Sequence, residues 1–219
     1  TCLQGSTKSN KNIMSKKIDI ISPFGPKLAK IKLSKKIVND INREVERIIL
    51  NEKKSKKKDY SKKLVGEVYQ EIELSKNFIN RKLKNFIHGK VKNYLKNTIH
   101  KTANKINIKN FWVVRQFKNE YNPVHYHDGN ISGVGYLKIP KYLNYSKKKK
   151  KTNGTIDFIN GSRMFLNNSI YNHLPKVGDL ILFPNYLMHT AYPFIVDGER
   201  RSFSFNIELD KKTADIFHD

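Results

Sequence analysis

The segment Arg200–Leu209 alternates with a period of two. Arg200, Ser202, Ser204, Asn206 and Glu208 share one parity, and Arg201, Phe203, Phe205, Ile207 and Leu209 share the other. Alternate side chains point to opposite faces only in an extended strand, so this stretch predicts a β-strand with one apolar and one polar face. The apolar face belongs against a core or packed helices. The polar face suits either water or a small dicarboxylate, which an arginine beside a hydroxyl can grip.

From Lys105 onward the whole chain has this texture. Segments 111–118, 124–127, 131–139, 155–159, 162–165, 180–183, 189–194 and 201–209 are rich in β-branched and aromatic residues, with turn residues between them. Many short strands at such spacing predict a sandwich, jelly roll or barrel. The first half differs. Ile18–Ile21 and Leu28–Leu33 read as short strands around a Ser-Pro-Phe-Gly-Pro turn. Ile37, Ile41, Val45, Ile48 and Ile49 recur at three- and four-residue steps, which predicts a helix from about Ser34, its N-cap, to Leu50. The basic stretch 53–63 predicts a loop, 64–74 is ambiguous, and a second helix is expected over 78–100. His88 and His100 lie too far apart on it to share a ligand and are expected to be surface or packing residues.

The fold class expected is therefore mainly β with N-terminal helices (α+β). The helices are expected to pack on one outer face of the sheets. Residues 1–13 read as a tail or upstream read-through before Met14, 14–104 as strands and supporting helices, 105–210 as the catalytic core, and 211–219 as a C-terminal tail.

Composition narrows the function classes. At 219 residues and 38% hydrophobic, the chain can build a full core. No apolar run approaches the roughly 20 residues of a membrane span, and no secretory leader is visible. The single cysteine, Cys2, excludes a disulfide framework and a thiolate metal site. A cytoplasmic location is the expectation. The formal charge of +24 fits attraction to nucleic acid, acidic lipid or an acidic substrate. It fits equally the Lys-, Asn- and Ile-rich usage of an AT-rich genome. The lysine runs 53–58 and 147–151 read as solvated loops.

The chemistry concentrates at Asn122–Asn130. His125 and His127 stand two residues apart, with Asp128 adjacent. On a strand the two imidazoles share a face, and one further carboxylate or histidine would complete a three-ligand metal site. His189 is the candidate third ligand. Asp128 points to the opposite face unless a β-bulge intervenes, so His125, His127 and His189 are the favoured set.

Taken in order, Asn122–His127 (NPVHYH), Ser132–Pro140 (SGVGYLKIP), Gly178–Pro184 (GDLILFP), His189 and Arg200–Asn206 (RRSFSFN) resemble the Fe(II)- and 2-oxoglutarate-dependent oxygenases. The likeness is greatest to the small oxygenases of marine bacteria and their phages, and covers roughly residues 105–209. It implies a double-stranded β-helix, the cupin-like jelly roll of that superfamily. It implies Fe(II) held near the barrel mouth, with 2-oxoglutarate and O2 as cosubstrates. Arg200 and Ser202 would bind the distal carboxylate of 2-oxoglutarate, with Tyr136 adding a hydrogen bond. Most of the superfamily has His-x-Asp or His-x-Glu where this chain has His125-x-His127.

Two other classes fit the same residues. A jelly-roll metalloprotein that does not use 2-oxoglutarate would need the three histidines but not Arg200. A basic nucleic-acid-binding module with a relict site would need the lysines and no metal. The substrate is unknown at this stage: small molecule, protein or nucleic acid.

Overall fold

The computed structural model describes residues 19–21, 25–147, 151–165 and 167–215. The expectations for residues 1–13, Met14, Cys2, Lys148–Lys150 and 216–219 lie outside the described residues. Chain order runs β1 (Asp19–Ile21), β2 (Leu28–Lys32), α1 (Lys35–Ile49), α2 (Glu52–Lys58), a 3-10 turn (Ser61–Lys63), β3 (Gln70–Glu73), α3 (Lys76–Lys82) and α4 (Lys84–Ile99). It continues with β4 (Ile106–Gln116), β5 (Asn122–His125), β6 (Ile131–Lys138), β7 (Ile156–Ile159), β8 (Ile170–His173), β9 (Asp179–Pro184), β10 (Met188–Ala191), β11 (Arg200–Leu209) and α5 (Lys211–Ala214).

Two antiparallel sheets form. The larger has the order β1-β2-β9-β6-β11-β4-β3, the smaller β5-β10-β7-β8. Apolar residues fill two layers. Between the sheets lie Val134, Tyr136, Ile156, Phe158, Ile181 and Phe183. On the other face of the larger sheet, α1, α3 and α4 bury Ile41, Val45, Phe78, Ile87 and Val91 against Phe111, Phe203 and Phe205. The alternation of β11 thus sorts one parity to the helices and the other to the space between the sheets.

Close packing on the helix side depends on two glycines. Gly135 stands opposite Phe203 and Gly133 opposite Phe205. A Cβ on either would lie 2.3 Å from the facing ring. The outer ends of the Phe203 and Phe205 rings occupy the space over the glycines, and both rings stack with Phe111. Gly135→Ala is expected to cost about 1–3 kcal/mol through overpacking and to lower the melting temperature by several degrees. An unchanged denaturation midpoint would show that the ring has room to move.

Ser34 caps α1 as its sequence predicts, accepting from the Ile37 amide. Three expectations change. Residues 52–58 are helical: Asn51 caps the segment, Glu52 pairs with Lys56 at 2.6 Å, and no residue is buried. Lysine is a good helix former, but a helix with no apolar face leaves no periodic signal. The second helix is two, broken at Leu83 (φ −121°), although both pieces feed one core and the apolar spacing runs through the break. Segment 162–165 is not a strand; Met164 and Phe165 are exposed, and the strand forms at Ile170–His173.

Candidate active site

The smaller sheet sets the histidines. His125 on β5 stands directly opposite His189 on β10, so their rings meet as a cross-strand pair, with centroids 4.3 Å apart. His127 follows just past the end of β5. Its amide donates to the Asn185 carbonyl, and the Asn185 side chain donates to its carbonyl, so the backbone is held from both sides. Ligand atoms of all three imidazoles lie within 4.8 Å of one another. Asp128 is outside this group. Its carboxylate accepts from Lys109 at 2.6 Å and is largely exposed.

Hydrogen bonding fixes two of the tautomers. Nδ1 of His125 lies 2.7 Å from the Pro123 carbonyl, and Nδ1 of His189 lies 2.9 Å from the Leu187 carbonyl. A carbonyl oxygen only accepts, so each Nδ1 carries the proton and each Nε2 keeps its lone pair. Burial, with the neighbouring rings adding to it, pushes His127 down to about 3 and His189 well below the ordinary histidine range; burial also lowers His125. At neutral pH three uncharged imidazoles therefore converge, ready to ligate. Trp112, Phe158 and Phe183 pack around the rings and keep water from them.

Deeper in the same pocket, β11 presents Arg200 and Ser202, and Tyr136 on β6 stands directly opposite Ser202. Arg200 is 3% exposed. It donates from one Nη to the Gly154 carbonyl at 2.9 Å, and its Nε has no partner among the described residues. Its neighbour Arg201 is equally buried on the opposite face, but there Glu199 and Glu46 pair with it. A buried guanidinium without a counter-ion is costly. Arg201 is thus paired within the fold, whereas Arg200 faces the pocket with no carboxylate partner among the described residues.

The polar face of β11 therefore meets the pocket and not bulk water: Arg200, Ser202, Ser204 and Asn206 all line it. Two further lining residues carry no signal in the sequence. Glu71 sits in the stretch that reads as ambiguous, in a Gln-Glu-Ile-Glu run that resembles a surface strand. Asn122 reaches the pocket because four residues of β5 (122–125) oppose three of β10 (189–191), a bulge that turns Asn122 and His125 to the same side.

The profile of a family described as "Putative 2OG-Fe(II) oxygenase" matches residues 110–206, the span that holds all of these histidines and Arg200. Over this span the chain is similar to the 2OG-Fe(II) oxygenases. No curated protein sequence matches the chain. Solved structures share the fold of this chain. A prolyl-4-hydroxylase of Pseudomonas putida is 11% identical, with a TM-score of 0.56 over 83% of this chain and 91% of its own. A viral collagen prolyl hydroxylase from Paramecium Bursaria Chlorella virus-1, in complex with 2OG, is 19% identical, with a TM-score of 0.52 over 82% and 94%. HygX from Streptomyces hygroscopicus, with nickel, 2-oxoglutarate and hygromycin B bound, is 13% identical, with a TM-score of 0.52 over 84% and 83%. At these identities the likeness establishes the jelly roll. The superfamily uses Fe(II), 2-oxoglutarate and O2. Among the described residues, no helix is long and apolar enough to cross a membrane.

Proposed function

We propose that the chain couples oxidative decarboxylation of 2-oxoglutarate, which yields succinate and CO2, to oxidation of a second substrate. His125, His127 and His189 hold the Fe(II), and Arg200 binds the distal carboxylate of 2-oxoglutarate with help from Ser202 and Tyr136. The observation that carries the reading is the pairing, in one pocket, of three neutral convergent imidazoles with a buried guanidinium that has no counter-ion among the described residues.

Bound iron would supply O2 activation, since three protein ligands leave three coordination positions for the 2-oxo acid and O2. The protein's own residues do the rest. The carbonyls of Pro123 and Leu187 keep two Nε2 lone pairs free for the metal. Arg200 fixes the distance between the metal and the far end of the cosubstrate. The aromatic collar excludes water and so protects the reacting centre. All three metal ligands being neutral, the metal keeps its full double charge, which strengthens its hold on an anionic chelate.

Anaerobic titration with Fe(II) and 2-oxoglutarate tests this through the visible charge-transfer band of a chelated 2-oxo acid. The band is expected in the native protein and at native strength in Asp128→Ala. Its loss in Asp128→Ala with retention in His127→Ala would overturn the ligand set. Metal uptake with no band would favour a jelly-roll metalloprotein that does not use 2-oxoglutarate.

A further inference from the structure

The pocket holds a second set of unsatisfied groups that the oxygenase chemistry does not use. Glu71 is 1% exposed, and its Oε2 has no hydrogen-bond partner among the described residues. The side-chain oxygen of Asn122 is buried and unpartnered as well. Both line the same pocket as the histidines and Arg200. They meet at Gly66, where a Cβ would lie 2.7 Å from the Asn122 oxygen and 3.3 Å from a Glu71 oxygen. The missing side chain lets the backbone pass in close contact with these two side chains.

Register locates the pair. Glu71 stands opposite Val114, Val114 opposite Ser202, and Ser202 opposite Tyr136. The four share one row on the pocket face of the larger sheet. With neighbouring strands about 4.8 Å apart, the Glu71 backbone lies roughly 10 Å from that of Ser202. Glu71 is therefore beside the place proposed for 2-oxoglutarate and outside it, where a second substrate would sit.

We propose that Glu71 and Asn122 form the substrate subsite and that they take a cationic nitrogen, an ammonium or guanidinium group. The inference rests on the oxygenase reading for its claim that the ligand is the substrate. Its chemistry follows from the donor count. Two orphan acceptors meet at Gly66, whereas the pocket's orphan nitrogens, Arg200 Nε on β11 two strands away and His127 Nδ1 beyond the end of β5, belong to the proposed cosubstrate and metal sites; ammonium and guanidinium groups carry donors only. A carboxyl group left unpaired in a buried site is costly to ionise, and an incoming cation removes that cost. Burial, then the nearby Asp59, pushes Glu71 up to about 8, which agrees with a carboxyl group that has no cation of its own. The other titratable groups lining the pocket are Tyr60 and Lys63 from the adjoining turn, Tyr126 and Asp128 beside the histidines, His125, His127 and His189 themselves, and Tyr136 and Arg200 on β6 and β11.

The test uses the full chain and two simple probes, methylguanidinium and butylammonium, in calorimetric titrations without iron or 2-oxoglutarate. At least one probe is expected to bind saturably to the native protein at pH 8. Which of the two binds more tightly tells a guanidinium from an ammonium substrate. Glu71→Gln keeps the shape and removes the charge, and Gly66→Ala presses a methyl group against both acceptors. Each is expected to weaken binding by about tenfold or more, while the charge-transfer band with Fe(II) and 2-oxoglutarate stays at native strength. Because the cation binds the ionised carboxylate, native affinity should rise up to about tenfold per pH unit between pH 6 and 8 and stay flat in Glu71→Gln. No saturable binding of either probe up to about 100 mM, equal binding by Glu71→Gln, or equal binding of neutral acetamide would each overturn the proposal. Probe binding without the band would instead overturn the oxygenase reading and leave the cation site standing.

Discussion

Arg200→Ala is expected to weaken 2-oxoglutarate binding on the order of 100-fold or more, because truncating one partner of a buried charge pair costs roughly 2–5 kcal/mol. Fe(II) uptake should stay at the native level. His189→Ala should show the reverse order of loss, with metal binding gone first and 2-oxoglutarate chelation lost as a consequence. Arg200→Lys keeps the charge but not the planar two-donor fork and should fall between the native protein and the alanine variant. Stability provides an independent readout. The unliganded protein buries Arg200 with no carboxylate beside it, so removing the guanidinium should leave the melting temperature unchanged or raised. A structural arginine would behave oppositely. A native 2-oxoglutarate affinity in Arg200→Ala, or a large drop in stability, would remove Arg200 from the proposed site.

Glu199→Ala is expected to be the most destabilising change near the pocket, at about 3–5 kcal/mol. Glu199 is 6% exposed. One of its oxygens accepts from Arg115 at 2.8 Å and Arg201 at 2.9 Å; the other accepts from Arg201 at 2.9 Å and Lys138 at 3.2 Å. Removing it leaves the buried Arg201 with Glu46 as its carboxylate partner and the part-buried Arg115 with Gln70 alone as a hydrogen-bond partner among the described residues. At roughly 2–4 °C per kcal/mol for a chain of this size, the melting temperature should fall by about 10 °C. These arginines hold Glu199 near 2, well below the usual carboxylate range, despite the opposing effect of burial. A depressed carboxyl group stabilises the fold above its unfolded-state value and loses that contribution as pH falls through the folded value. The native protein should therefore lose stability between about pH 4.5 and 2, and Glu199→Gln should lose less over the same window. An equal acid response in the two proteins would show that other carboxylates govern that limb.

Much of the site was legible because a strand writes its faces into the sequence. His125 and His127 declare themselves by spacing, and β11 by its alternation, since the side-chain period of two survives any tertiary arrangement. The same alternation could not say which face meets water. Arg200 and Arg201 are adjacent identical residues, and only the packing of α1 and the Glu199 network on one side, and the pocket on the other, separates a cation paired within the fold from one that faces the pocket.

Other features had no local signature at all. Helix α2 buries nothing, so periodicity could not reveal it. Glu71 lies in the strand β3, which joins the larger sheet through β4, and its burial comes from chain segments distant in sequence. Sequence alone determined the strand-rich core, the helices that cover it, the superfamily resemblance and the residue types able to bind metal and dicarboxylate, because these follow from side-chain period and chemistry. Tertiary structure decided which polar groups are left without partners, because hydrogen-bond satisfaction is a property of the packed neighbourhood and no residue carries it alone.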